Sequence, residues 1–364
     1  MKVVLVSGAR PNFMKIAPLV AALEGADGFE TYLVHTGQHY DQELSRVFFD
    51  QLGIPRPNLD LEVGSASHAR QTAEIMIRFE PVIEEQQPDV VLVVGDVNST
   101  MACAVTAAKL KVPVAHVEAG LRSFDEAMPE EINRRLTDSI SRWLFASEPS
   151  GMENLRREGV AADRCHLVGN VMIDTLLRHR ERAVKAGAPG RHGVAAGEYC
   201  LMTLHRPSNV DRPEVLAGIL DAVTRIARET RVLFPVHPRT RAALQRADLF
   251  RRAKGIPGLD LLQPLGYLDF LGLMADAMAV LTDSGGIQEE TTVLGIPCLT
   301  LRENTERPIT IDQGTNRLTG SDPDRILDAF NGVLKGEITG QGCPELWDGK
   351  AALRIVEILA SREV

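Results

Sequence analysis

The sequence is short of several things that would have pointed elsewhere. Its five cysteines, at 103, 165, 200, 298 and 343, form no C-x-x-C pair, so neither a zinc knuckle nor a disulfide framework is indicated and a reducing cytoplasm is the expected compartment. Positive charge is in deficit: 40 Lys and Arg against 49 Asp and Glu leave a net charge of −9. That excludes a broad electrostatic footprint for nucleic acid and requires any bound anion to be held by a local site. No apolar run approaches the roughly 20 residues of a membrane span. The first apolar run, Val3 to Val6, passes directly into Gly8-Ala9-Arg10-Pro11, which reads as a buried strand and turn and not as a signal peptide. Two fingerprints are also missing, the G-x-G-x-x-G dinucleotide turn after the first strand and the G-x-x-x-x-G-K-[ST] phosphate loop. Their absence argues against NAD and ATP, and no cofactor is expected.

What remains is an ordinary globular composition, 44% hydrophobic and 24% charged, in 364 residues, a length that predicts two domains. Short β-branched runs recur at 3–6, 31–34, 90–94, 113–117 and 143–146, separated by helical patterns. In the stretch 67–87, Ile75, Phe79, Val82 and Ile83 share one helical face. The rhythm loosens after Gly169, and the Gly-, Ala- and Pro-rich stretch 185–197 is read as part of a linker. Alternation restarts at 199–204, 232–236, 259–262, 279–282 and 298–301. The pattern predicts an α/β chain of two Rossmann-like, doubly wound domains facing a cleft, residues 1–170 and 171–349. An amphipathic helix over 350–364 is expected to pack back on the N-terminal domain. Such sheets bind ligands at the carboxyl ends of their strands, so residues just after strands carry the most weight.

Two anion-holding turns follow strands. The first is Ser7-Gly8-Ala9-Arg10-Pro11, opening a helix that carries Lys15. The second is Asp283-Ser284-Gly285-Gly286-Ile287-Gln288-Glu289-Glu290, where paired glycines let the backbone approach a diphosphate and Ser284 could cap the helix or bond an oxygen. Each also has a plain reading as a capped strand-to-helix turn. Histidines stand at two further strand ends, His205-Arg206-Pro207 and His237-Pro238-Arg239, suited to neutralising phosphate charge or moving a proton.

Carboxylates collect at the same edge. Asp96 follows the strand 90–94, Glu118 follows 113–117, and Glu130 and Glu131 sit in the first turn of a helix begun by Pro129. Asp96 taken alone could be a helix cap, and the two glutamates ordinary first-turn acids. Glu118 has no such explanation. Clustered like charges raise one another's pKa values, so the set reads as acid and base catalysts. A metal site is not expected: His116 precedes Glu118 by two residues, which puts both on one side of a strand and leaves other ligands unspecified.

Taken in order, GARPNFMK, TGQHYD, GDVNST, HVEAGLRS, MPEEINR, LHRPSNVD, PVHPRT, TDSGGIQEE and LRENTERPIT resemble the non-hydrolysing UDP-N-acetylglucosamine 2-epimerases. The resemblance implies a glycosyltransferase-B-like fold, a homodimer, and a UDP-sugar as substrate. It also implies a cofactor-free reaction in which loss of the C2 proton and anti elimination of UDP give a 2-acetamidoglucal, to which UDP adds back with the other C2 configuration. Carried over by position, Arg10, Lys15 and His205 belong near the diphosphate and Asp96, Glu118 and Glu130 to the chemistry, with Glu131 as rival to Glu130. Ser284, Gly285 and Gly286 would hold phosphate oxygens and Glu290 the ribose hydroxyls. Arg206, His237, Arg302, Glu303 and Arg307 would line the same site or serve closure. Two stretches depart from the family pattern. Gln38-His39-Tyr40-Asp41 lacks the Gln-His-Arg-x-Met form tied to activation by a second substrate molecule. The loop from Arg122 to Met128 looks more like that of members acting on modified sugars such as 2,3-diacetamido uronic acids. A hydrolysing epimerase and a glycosyltransferase of the same fold are the competing readings.

Overall fold

The computed structural model describes residues 1–8, 10–37, 51–340 and 342–361, with the side chains of Arg10 and Pro11 outside the description. The second-loop stretch Gln38 to Asp41, and with it the reading on activation, lies outside the described residues. Two compact units emerge, Met1–Thr175 with Glu345–Val364, and Leu176–Pro344.

The first unit is built on a parallel sheet of seven strands: β1 (Lys2–Ser7), β2 (Glu30–His35), β3 (Leu59–Asp60), β4 (Val90–Val94), β5 (Val114–Val117), β6 (Trp143–Ala146) and β7 (Cys165–Leu167). Their spatial order is β3-β2-β1-β4-β5-β6-β7. The chain therefore reverses direction of travel across the sheet between β1 and β4, where Val3 pairs with Val90 and Leu5 with Leu92. β4 is all Val and Leu and buried along its whole length, as expected for a strand covered on both faces. The helix His68–Gln86 covers one face through Ile75, Phe79, Val82 and Ile83, and the Ser67 hydroxyl accepts the Arg70 N–H at its start.

The C-terminal helix Ala351–Ala360 belongs to this unit and packs against the helix Arg10–Glu24. Its first N–H groups, of Ala351 and Ala352, are accepted by the Asp174 carboxylate at 3.1 and 2.7 Å. The preceding Trp347 is buried and donates its indole N–H to the Ser147 carbonyl at 2.8 Å.

The second unit has six parallel strands, β8 (Tyr199–Thr203), β9 (Arg231–Pro235), β10 (Leu259–Leu262), β11 (Ala279–Thr282), β12 (Cys298–Thr300) and β13 (Asn316–Leu318). They are ordered β10-β9-β8-β11-β12-β13, so its reversal lies between β8 and β11. Both units are thus Rossmann-like α/β folds. In open sheets of this kind the crevice at the reversal is where ligands bind.

The stretch 185–197 is more than a linker. The helix Val171–Lys185 runs to its start, and a short helix Ala188–Arg191 within it buries Ala188 and Pro189. Gly272 shows why this holds: a Cβ there would meet the Ala183 carbonyl at 2.8 Å and the Ala188 Cβ at 3.5 Å. Small residues that read as absence of a core are here the means of close packing.

Candidate active site

In the first unit the residues after β1, β4 and β5 meet. Gly8 follows β1 at a point where a Cβ would come within 2.5 Å of the Ser99 side chain, so only glycine lets the turn lie on the helix Asn98–Lys109. The helix Arg10–Glu24 then sends Lys15 into the interior, where its ammonium forms a buried ion pair with Glu118. Asn12 on the same helix donates to the Val94 carbonyl at 3.2 Å. Glu118 itself adopts a left-handed backbone, φ 71°, which a residue with a Cβ takes only at a cost of about 1 kcal/mol or more. Gly95 shares the spot: a Cβ there would lie 2.9 Å from Lys15 Nζ and 3.2 Å from Glu118 Oε2.

Asp96 is not a helix cap; Val97 holds that position. Its carboxylate instead receives two hydrogen bonds from Arg134, from Nη2 at 2.7 Å and Nε at 3.0 Å. Asn133 ties the Asp96 carbonyl at 2.9 Å. Both partners come from the helix Pro129–Ile140, whose first turn carries the two glutamates. These differ sharply. Glu131 is buried and accepts from the Ser123 amide at 2.9 Å, the Ser123 hydroxyl at 3.0 Å and Arg134 Nη1 at 2.6 Å, with the Phe124 amide at 3.3 Å. Glu130 is half-buried, and no partner for it lies among the described residues.

His116, on β5, is fully buried. Nδ1 lies 2.7 Å from Asp138 Oδ1 and Nε2 lies 2.8 Å from the Gly95 carbonyl. Both partners are acceptors, so both bonds form together only when the ring carries two protons. Burial pushes the Asp138 carboxyl up, but His116 and Arg122 outweigh it and hold it below the usual range. Among the described residues no three His, Cys, Asp or Glu side chains come together as a metal site.

In the second unit the residues after β8, β11 and β12 meet. The helix Gly285–Leu294 begins after β11, with Ser284 at its N-cap in an extended conformation but without a side-chain cap bond. Gly286, the next residue of that helix, is half-buried. A Cβ on Gly285 would collide with Arg307 Nη1 at 2.6 Å and Glu306 Oε1 at 2.9 Å. Three guanidinium groups gather around Glu306. Arg302 contacts it at 2.8 Å, Arg307 at 2.6 Å and Arg206 at 3.9 Å. Arg206 Nε and Arg302 Nη1 are buried donors with no hydrogen-bond partner among the described residues. An excess of buried donors beside a helix N-terminus is the arrangement that takes an anion. Glu303 pairs instead with the exposed Arg325 at 3.1 Å.

His205 bonds through Nδ1 to the buried Asp283 at 2.8 Å, and its ring lies 5.8 Å from that of His237. His237 caps its own helix, Nδ1 accepting the Arg239 N–H at 3.2 Å. Glu290 is buried, bonded by the Tyr267 hydroxyl at 3.0 Å, and burial pushes its carboxyl up to about 8.

Most residues marked in the sequence therefore fall into two clusters, one per unit, while the Arg10 side chain lies outside the description. Asp138, Asp283 and Glu306 were missed. Asp138 and Asp283 order marked residues from 22 and 78 positions away, which no local pattern reveals, whereas Glu306 lies four residues after Arg302 and next to Arg307. The Asp283-Ser284-Gly285 turn, a carboxylate leading a marked motif, was the one available signal.

A family model described as UDP-N-acetylglucosamine 2-epimerase matches residues 21–360. A UDP-N-acetylglucosamine 2-epimerase of Methanocaldococcus jannaschii is 41% identical over 364 residues, 99% of each chain. A UDP-2,3-diacetamido-2,3-dideoxy-D-glucuronate 2-epimerase of Pseudomonas aeruginosa is 39% identical over 365 residues, again 99% of each. A crystal structure of the M. jannaschii UDP-GlcNAc 2-epimerase with UDP-GlcNAc and UDP superposes with a TM-score of 0.92 at 40% identity, covering all of both chains.

Proposed function

Because the chain belongs to the UDP-N-acetylglucosamine 2-epimerase family, we propose that it interconverts UDP-GlcNAc and UDP-ManNAc without hydrolysis, by elimination of UDP through 2-acetamidoglucal and re-addition. The observation that carries this reading is the grouping of Glu118, Lys15 and the Gly95-Asp96 turn at the carboxyl ends of β1, β4 and β5. Loss of the C2 proton needs a positioned base, and its return to the other face needs a second, positioned acid. Glu118 and Asp96 fill those roles, and Glu130 supplies the third carboxylate. Glu131, with four hydrogen bonds of its own, acts by fixing the loop 122–128 and Arg134.

The guanidinium cluster of Arg206, Arg302 and Arg307, with the Gly285-Gly286 turn, holds the diphosphate, and His205 of the same unit joins it. Glu290 accepts from the ribose diol. His237, whose Nδ1 accepts the Arg239 N–H, donates through Nε2. No cofactor, metal or nucleic acid enters, and the enzyme acts in the cytoplasm. No described helix is long and apolar enough to cross a membrane. Ile132, Leu136 and Ile140 leave an exposed apolar stripe on the helix Pro129–Ile140, and this face joins two copies in a homodimer; light scattering of Leu136→Glu, returning a monomer mass, checks it.

The experiment for the reaction is incubation with UDP-GlcNAc and no acceptor, followed by anomeric proton signals. UDP-ManNAc appearing without free sugar supports the epimerase. Free N-acetylmannosamine rising in step with UDP means a hydrolysing epimerase, and no turnover without an acceptor means a transferase. A second substrate, the UDP-2,3-diacetamido glucuronate, is favoured by the full-length P. aeruginosa relative. Faster turnover of that sugar than of UDP-GlcNAc would reassign the hexosamine while keeping the chemistry.

A further inference from the structure

His205 stands at the end of β8 and Asp283 at the end of the neighbouring β11, where Thr203 pairs with Thr282. Asp283 is fully buried. Its carboxylate accepts the backbone N–H of His205 at 3.0 Å, that of Arg206 at 2.8 Å and the Asn209 side-chain amide at 3.2 Å. One oxygen, Oδ1, also lies 2.8 Å from His205 Nδ1. Burial pushes this carboxyl up, but the His205 ring and the two backbone N–H groups outweigh it and hold it ionised, below the usual range. An ionised carboxylate has no proton to give, so Nδ1 must be the donor in that bond.

We propose that Asp283 is a positioning residue for His205, fixing the neutral imidazole as the Nδ1–H tautomer so that Nε2 is the nitrogen that takes up and presents a proton. The neighbouring ring is fixed the other way. His237 Nδ1 accepts the Arg239 N–H, which leaves its proton on Nε2. Two rings 5.8 Å apart are thus set to opposite tautomers, one by a buried carboxylate and one by a helix N-terminus. At Nε2, therefore, His205 carries the lone pair and His237 the proton. A carboxylate that orients a catalytic histidine acts in the same way in serine hydrolases. The catalytic meaning rests on the role given to His205 above; the tautomer does not.

The test separates the two. Imidazole nitrogen shifts, measured by long-range 1H–15N correlation at a pH where the rings are neutral and assigned through His205→Gln, report each tautomer in the wild-type protein. We expect Nδ1–H for His205 and Nε2–H for His237. In Asp283→Asn the amide oxygen keeps the backbone bonds while its NH2 faces Nδ1, so the His205 signal should switch to Nε2–H and kcat should fall on the order of 10²–10⁴-fold with KM little changed. A wild-type His205 in the Nε2–H form, or one whose tautomer ignores Asp283→Asn, overturns the proposal. If that variant does not fold, the wild-type spectrum alone decides. Full activity in His205→Gln with the expected tautomers would overturn the role of His205 in turnover and leave the assignment standing.

Discussion

Removing the Glu118 carboxylate and removing its Lys15 partner should have different consequences. Glu118→Gln keeps a neutral acceptor for the buried ammonium and so costs less stability than losing a partner outright, while kcat drops roughly 10²–10⁴-fold, as for loss of an acid or base. Lys15→Met leaves a buried carboxylate without its cation, a change that typically removes about 3–5 kcal/mol of stability. Urea midpoints with a coupled UDP-binding assay distinguish them. Glu118 stood out in the sequence as an acid directly after an apolar strand with no turn to explain it, and its φ of 71° is backbone strain of the kind that clusters at functional sites. The pairings of Asp138 and Asp283 with histidines were not legible. The first sits 22 residues from His116 and the second 78 from His205, and no periodicity links them. Glu130 and Glu131 were indistinguishable as neighbours in one helical turn; only the hydrogen bonds of Glu131 separate them.

At the scale of elements, strands with continuous Val, Ile and Leu announced themselves, and so did the helix His68–Gln86 with its Ser67 cap and four-residue apolar stripe. β3, β7 and β13 did not. They are two or three residues long, mostly half-buried, and contribute little apolar signal. The turn after β1 shows how one residue fits an element to the site. Gly8→Ala forces a methyl against Ser99 at 2.5 Å, and overpacking of this kind costs about 1–3 kcal/mol. Tm should fall in Gly8→Ala and recover in part in Gly8→Ala/Ser99→Gly, which opens the contact. An unchanged Tm in the single variant would show that the turn is not held against this helix.

For the whole molecule, the two buried carboxyls that burial raises, Glu290 to about 8 and Asp174 to about 6, set the pH dependence of stability. Each stays protonated in the fold over a range in which the unfolded chain has released its proton. Their contribution is therefore complete below the ordinary carboxyl range and is lost as pH rises, through 6 for Asp174 and through 8 for Glu290. Thermal unfolding across pH 5 to 9 should show Tm declining toward the alkaline end, with a flatter profile in Glu290→Gln. The two-domain α/β organisation was readable from the restart of strand–helix alternation. The packing of 185–197 was not, because small residues in a tight contact look the same in sequence as small residues in a linker.

The central claim is that a carboxylate of this chain takes the proton from C2 of a UDP-hexosamine and that UDP leaves and returns. Deuterium incorporation at C2 in deuterated buffer, followed by proton NMR during incubation with UDP-GlcNAc, tests it most directly. Deuterium entering C2 of both nucleotide sugars in wild type, and in neither with Glu118→Gln, is the result expected. Epimerisation with the C2 proton retained, or deuterium exchange undiminished in Glu118→Gln, would contradict it.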